Sequence, residues 1–185
     1  MKNLFITLFV FIAFTITQAF AYNINDFSND AKILSAMRLL EQSGEYDVFA
    51  NLKRNAVKVK FYNVSMMTSG QHVYAVNTYD NYGRRVILIN SQYKNAPVEQ
   101  IACLIAHESC HVARKATLAE ETTATQKEAA CWAKLRNGSA TYPQTKLTKR
   151  LDKIAGLYLA SDSNTNYVQD KIASSSFYRS QFGLN

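Results

Sequence analysis

Several features are scarce in this chain of 185 residues, and each scarcity excludes a class of protein. Glycine occurs six times and proline twice, so collagen-like chains and long disordered segments are excluded. No internal repeat or low-complexity segment is visible. Hydrophobic residues make up 48% of the chain and charged residues 19%, which is typical of a globular protein. The length fits one domain.

Clusters of basic residues are also lacking. The chain has 21 Lys and Arg residues against 14 Asp and Glu, a formal net charge of +7. These basic residues are dispersed, and they occur at most as pairs such as Lys53-Arg54 and Arg84-Arg85. A nucleic-acid-binding module needs clustered basic and aromatic residues. We therefore expect a solvated basic surface and no nucleic-acid partner.

The one long apolar run of the sequence stands at its start. Met1-Lys2 precedes an apolar stretch from Leu4 to Ile16, and Ala19-Phe20-Ala21 has the small-x-small pattern of a cleavage site. The run is shorter than the roughly 20 residues of a membrane span, and no lipoprotein cysteine follows it. We predict a signal peptide at 1–21 and a single domain at 22–185, secreted or periplasmic, with no stable membrane insertion. The sequence does not indicate the oligomeric state.

The periodicity of apolar residues predicts a helix, then a sheet, then helices. The order is that of an α+β domain, with an antiparallel or mixed sheet packed against the helices; three consecutive strands favour the antiparallel form. The predicted strands are Val57–Tyr62, Val73–Val76 and Arg85–Asn90. One predicted helix follows Ser28-Asn29-Asp30 and ends at Ser43-Gly44, and a second begins at Pro97. Three further helices cover about Leu118–Arg136, with Gly138 as C-cap, Gln144–Ala160 and Asn164–Ser176.

Histidine is rare, yet two of the three histidines stand four residues apart, at His107 and His111. On a helix this spacing turns both imidazoles to one side, where they can bind one metal ion. Glu108 then points beside that ion, where it can polarise a bound water. The alternative is two histidines that pack one turn apart without a metal. His72 falls in or before a strand, and we expect it to face solvent.

The motif His107-Glu108-Ser109-Cys110-His111, with a strand before it and a Glu-rich helix after it, resembles the zincin metallopeptidases. The resemblance covers about Arg85 to Leu135. The chain does not resemble a metzincin, because it has no third motif histidine near Val112 to Leu118. It implies a small zincin-like domain, Zn²⁺ as cofactor and a peptide or protein substrate. It also implies hydrolysis by a zinc-activated water, with Glu108 as general base.

In the branch called gluzincins, the third metal ligand is a glutamate on the second helix. This chain offers Glu120, Glu121 and Glu128 there. In an antiparallel helix pair Glu121 can lie opposite His111, and Glu121 opens a sequence similar to the Glu-x-x-Ala pattern of some gluzincins. The resemblance therefore implies Glu121 as the ligand and Glu128 as a residue that orients a histidine or a helix. Glu120 and Glu128 stay open as alternative ligands, and each of the three is also readable as a solvated helix-surface charge.

The chain has three cysteines, so at least one has no partner within the chain. Export implies an oxidising compartment, in which disulfides form. If Glu121 lies opposite His111, the same register brings Cys103 close to Cys131, and we expect that pair to be a disulfide. A Cys110–Cys131 pair is the alternative. Cys110 is expected to face the core and not the metal.

Zincins bind substrate as an extra strand along one edge of the sheet. Arg85–Asn90 is one candidate for that edge, although its apolar run favours a central strand, in which case Val73–Val76 or another strand lines the cleft. The tyrosines that could donate to a developing oxyanion include Tyr82, Tyr93, Tyr142, Tyr158 and Tyr167.

The alternative to an enzyme is an exported zinc-binding structural or interaction protein without turnover. A structural zinc site is closed by four protein ligands and does not need Glu108. Its presence therefore favours the enzyme.

Overall fold

The computed structural model describes residues 22–67, 73–113, 116–138, 140–160 and 165–183. The predicted signal peptide at 1–21 and His72 lie outside these residues. Within them the elements run helices, sheet, helices, so the α+β class is confirmed. The helices are α1 (Ala31–Gln42), α2 (Tyr46–Arg54), α3 (Val98–Ser109), α4 (Leu118–Leu135), α5 (Lys146–Ala160), α6 (Thr165–Ala173) and α7 (Ser176–Phe182), and the strands are β1 (Lys58–Tyr62), β2 (Ala75–Tyr79) and β3 (Arg85–Asn90).

Helix α3 lies at the centre of the domain. Every residue from Gln100 to Ser109 is buried, because α1, α4 and the strands β2 and β3 all pack against this helix. Pro97 is its N-cap, one residue before the first helical turn in which the sequence placed it. The buried amide of Gln100 donates to Thr148 Oγ1 at 2.8 Å, which offsets the cost of burying that polar group.

Helix α1 begins and ends where the sequence predicts. The carboxylate of Asp30 accepts hydrogen bonds from the amides of Lys32 and Ile33 at 2.9 and 3.2 Å, a typical N-cap. Gly44, just after the helix, has a φ of +78°, a conformation that glycine adopts without strain. The buried face of α1 then packs against α3.

The three strands form a mixed sheet in the order β1-β3-β2. β2 pairs with β3 antiparallel, but β1 pairs with β3 parallel, so the expectation of an antiparallel sheet is wrong and the mixed alternative is confirmed. The continuous apolar run of β3 arises because Ile87 and Ile89 enter the main core, while Val86 and Leu88 pack on the other face. β3 is therefore the central strand, and Arg85–Asn90 is not an edge for substrate.

The second half of the chain differs from prediction at its turns. Helix α4 ends at Leu135 with Arg136 as its cap, so the prediction of Gly138 as C-cap is wrong.

Trp132 is fully buried and its Nε1 donates to Asp152 Oδ1 at 2.8 Å, which joins α4 to α5. In the described part of the chain we find no helix with the length and apolar character of a membrane span.

Candidate metal centre

The two histidines of the motif face each other, although only the first lies within a helix. α3 ends at Ser109, so His111 follows the helix end. The backbone tightens there, since the amides of Cys110 and His111 donate to the carbonyls three residues before them at 3.0 and 3.3 Å. This tight turn keeps the second imidazole beside the first, and the two Nε2 atoms are 3.3 Å apart.

Glu121 completes a cluster with these two nitrogens. Its Oε1 lies 3.6 Å from His111 Nε2 and its Oε2 lies 3.8 Å from His107 Nε2. Among the described residues, His107, His111 and Glu121 form the one group of three potential metal ligands with their donor atoms close together. Glu121 comes from the first turn of α4, which packs closely against α3.

The donor atoms of this cluster fit a zinc ion. Zinc bonds of 2.0–2.1 Å in a tetrahedron place the ligand atoms about 3.3 Å apart, close to the separation of the two Nε2 atoms. Glu121 Oε2 is buried and, in the described residues, has no hydrogen-bond donor. A buried carboxylate oxygen without a donor is costly, and a cation between it and the imidazoles would remove that cost.

Glu128 lies behind the first histidine. Its carboxylate is fully buried, and Oε2 is 2.9 Å from His107 Nδ1, on the side of the ring away from Glu121. Arg150 on α5 binds the same carboxylate with two guanidinium nitrogens, one of them at 2.7 Å. Burial opposes ionisation of Glu128, but the charges of Arg150 and His107 outweigh it and lower the pKa of Glu128 to about 2.

Glu120 is turned away from the two Nε2 atoms. Its Oε1 accepts the amides of Val112 and Ala113 at 2.6 and 3.0 Å, and its Oε2 lies 3.7 Å from His111 Nδ1. Burial acts to raise the pKa of Glu120, but these backbone amides lower it overall. Of the three glutamates left open by the sequence, Glu121 alone belongs to the cluster of potential ligands.

Glu108 is buried beside the cluster with only 7% of its surface exposed. Burial raises the pKa of its carboxyl, and the negative charges of Glu121 and Glu128 raise it further, against the opposing effect of His107 and His111.

Two side chains from the sheet donate hydrogen bonds to backbone carbonyls at the end of the motif and just after it. Asn77 on β2 donates to the carbonyl of Glu108 at 2.8 Å and to that of His111 at 3.1 Å. Arg85 at the start of β3 donates to the carbonyls of His111, Val112 and Ala113. The sequence did not predict these contacts, because it does not show which strand residues face the end of α3.

The thiols of Cys103 and Cys131 touch across α3 and α4. Both cysteines are buried, and their Sγ atoms are 3.3 Å apart, a contact between free thiols. The predicted register of the two helices therefore brings this pair together, while the disulfide itself stays a prediction. Cys110 lies at the end of α3 and its thiol contacts the carbonyl of Ala106 at 3.5 Å.

A tyrosine near the chain end contacts the cluster, and it is not one of the five tyrosines named from the sequence. Burial and the nearby negative charge of Glu121 raise the pKa of Tyr178 on α7, so its hydroxyl lies close to that carboxylate. By contrast, Tyr82 is 83% exposed at the β2–β3 turn, and Tyr142 packs on Trp132. Helix α7 was not predicted as a separate element, so no sequence signal pointed to Tyr178.

A comparison of the chain with protein-family models, curated proteins and solved structures finds no match.

Proposed function

We propose that this chain is a zinc-dependent metalloendopeptidase with a zincin-like domain, exported to the periplasm or secreted. The observation that carries the proposal is the cluster of His107, His111 and Glu121, with the buried Glu108 next to His107 in the chain. A His-Glu-x-x-His motif and a glutamate from a neighbouring helix are the donors that hydrolytic zinc sites use.

The side chains of His107, His111 and Glu121 would hold the ion. Neighbouring residues orient two of these side chains before the ion binds. Glu128 faces His107 Nδ1 at 2.9 Å, so a proton on Nδ1 leaves Nε2 free to act as a ligand. Arg150 keeps the Glu128 carboxylate ionised and fixed. The hydroxyl of Tyr178 lies close to the Glu121 carboxylate, where it can donate a hydrogen bond to it.

Zinc, when bound, supplies a Lewis acid that polarises a carbonyl and acidifies water. Glu108 accepts the proton of the attacking water at its carboxylate and passes that proton to the leaving amine. The acceptor must stand beside the ligands and not among them, and Glu108 meets this condition because it follows His107 by one residue on α3. β2 is an edge strand of the sheet next to α3, and it is our candidate for contact with an extended peptide.

The burial of the site favours one alternative, a zinc-binding structural protein without turnover. His107, Glu108 and Glu121 each expose only 7% of their surface, and a structural zinc site has no position that water or substrate must reach. The alternative makes no use of Glu108, so a substitution of this residue separates the two functions.

The test compares the chain, expressed from its full sequence, with the Glu108→Gln variant. We would measure zinc content by mass spectrometry and cleavage of casein and of a peptide library. We expect both proteins to bind about one zinc ion, and the variant to lose 10²–10⁴-fold in kcat, because the proton acceptor is gone. Glu41→Gln, at an exposed position of α1, is the matched control and should cleave like the parent.

Two outcomes would contradict the proposal. If parent and variant both bind zinc and neither cleaves any peptide of the library, the structural alternative is favoured. If neither binds zinc, the motif has no metal function.

A further inference from the structure

The end of α3 leaves His111 without the support that a helix would give. Within a helix, the carbonyls of the motif would accept amides from the next turn. Here the helix ends at Ser109, two residues before His111. The last carbonyls of a helix need other donors, and the position of the second imidazole depends on where those donors come from.

The donors come from two side chains of the sheet. Asn77 binds the carbonyls of Glu108 and His111, so that it bridges the last helical turn and the second histidine. Arg85 binds three successive carbonyls, from His111 to Ala113, with Nη2 at 2.6 Å from Val112 O and 2.9 Å from Ala113 O. The planar guanidinium fork fixes the direction of each bond, which an ammonium group would not do.

The environment of Arg85 indicates that its charge serves this purpose. Arg85 is only 8% exposed, and none of the ion pairs in the described part of the chain includes it. A buried cation without a carboxylate partner is costly unless other groups compensate it. Backbone carbonyls compensate it here, and its Nε also contacts Tyr79 Oη at 3.3 Å.

Glu120 holds the same backbone segment from the opposite side. Its carboxylate accepts the amides of Val112 and Ala113, while Arg85 takes their carbonyls. Residues 111–113 are thus held between a buried cation from the sheet and a carboxylate from α4. The amides and the carbonyls of Val112 and Ala113 are all hydrogen-bonded, so this segment has little freedom to move.

We propose that Arg85, assisted by Asn77, is a positioning residue that replaces the missing helical turn and holds His111 at the proposed zinc site. This inference rests on the proposed function for the identity of the ion, but not for the position of the imidazole. Neither residue belongs to the cluster of potential metal ligands. Their effect is exerted on the backbone that carries the second ligand.

The experiment substitutes Arg85→Lys and Arg85→Met, with Arg84→Met as the matched control. Arg84 is the next residue, but its side chain is 70% exposed and pairs with Asp80. We would measure zinc affinity by competition with a chromophoric chelator, and the visible absorption of the Co²⁺-loaded proteins, which reports the ligand geometry. Amide hydrogen exchange at residues 111–113 would be measured without any metal.

We expect Arg85→Met to lower zinc affinity by about 10–100-fold, the range found for groups that orient metal ligands, and to change the Co²⁺ spectrum. Arg85→Lys should fall between parent and Arg85→Met, because a lysine keeps the charge but not the fork. Exchange at residues 111–113 should accelerate in both variants, and Arg84→Met should match the parent in every measurement.

The inference is overturned if Arg85→Lys, or a folded Arg85→Met, keeps the affinity, the Co²⁺ spectrum and the exchange rates of the parent. If Arg85→Met does not fold, Asn77→Ala, which removes two of the carbonyl contacts, replaces it under the same criterion. If the parent binds no zinc, the proposed function fails, and the hydrogen-exchange comparison still decides the role of Arg85.

Discussion

At the scale of single residues, the contact between Glu128 and His107 has a measurable consequence. We predict that Glu128→Gln weakens zinc binding by about 10–100-fold, because the variant lacks the negative charge that faces His107 Nδ1 at 2.9 Å and leaves the charge of Arg150 without its partner. The measurement is chelator competition, with Glu41→Gln as control. Equal affinities of parent and variant would show that the Glu128 charge does not orient the histidine.

The residues of the site differ in how far the sequence reveals them. The spacing of His107 and His111 predicts a shared side, and antiparallel helices joined by a short turn bring Glu121 opposite them. Arg85 and Arg150 could not be predicted, because each belongs to another element and reaches the site only through the packing of that element. A sequence pattern records local spacing, and it does not record the rotation of one helix against another.

At the scale of elements, an ion-pair network joins α2 to α4. Lys127 on α4 binds Glu45 Oε2 at 2.6 Å and Asp47 Oδ1 at 2.7 Å, and Lys134 binds Glu45 Oε1 at 3.1 Å. Burial opposes ionisation of Glu45, but the hydrogen bonds and charges of the two lysines lower its pKa below 4.5 overall. Glu45 therefore stabilises the fold when it is ionised.

This network predicts a pH dependence of stability. The contribution of Glu45 is present above its unfolded pKa, near 4.5, and is lost as the pH falls through the lower pKa of the folded state. Glu45→Gln should therefore cost about 1 kcal/mol or less at pH 7, and the difference should vanish at low pH. Urea unfolding between pH 7 and 3 measures this, and parallel curves for parent and variant would contradict it.

The elements themselves were predictable where a long apolar period marks them. Helices α1, α4 and α5 and the central strand β3 lie close to their predicted bounds, whereas α3 begins near Pro97 as predicted but ends at Ser109, before the second motif histidine. Helix α2 was missed, because its nine residues carry only three buried positions, too few to establish a period. The parallel pairing of β1 with β3 was also missed, since strand order is fixed by packing against α3 and not by any local pattern.

At the scale of the whole molecule, bound zinc should stabilise the fold, because the cluster exists only when α3 and α4 are packed together. At a free zinc concentration about 100 times the dissociation constant, mass action adds about 2.7 kcal/mol. This corresponds to a rise in Tm of about 5–10 °C for a domain of this size. Thermal unfolding with zinc and with excess chelator measures the shift. His111→Ala should abolish it, and an equal shift in that variant would place the zinc elsewhere.

The position of the site along the chain also bears on the order in which it can form during synthesis. The residues His107, His111, Glu121 and Glu128 are at most 21 positions apart in the sequence, on α3, α4 and the segment between them, so their mutual contacts need little loop closure. Asn77 and Arg85 are synthesised before them, whereas Arg150 and Tyr178 follow. A nascent chain that ends after α4 would thus contain every proposed ligand, together with Asn77 and Arg85, which contact the backbone of the second histidine. We expect such a chain to capture zinc weakly and to release it quickly, until α5 and α7 emerge and fix the first histidine and the glutamate.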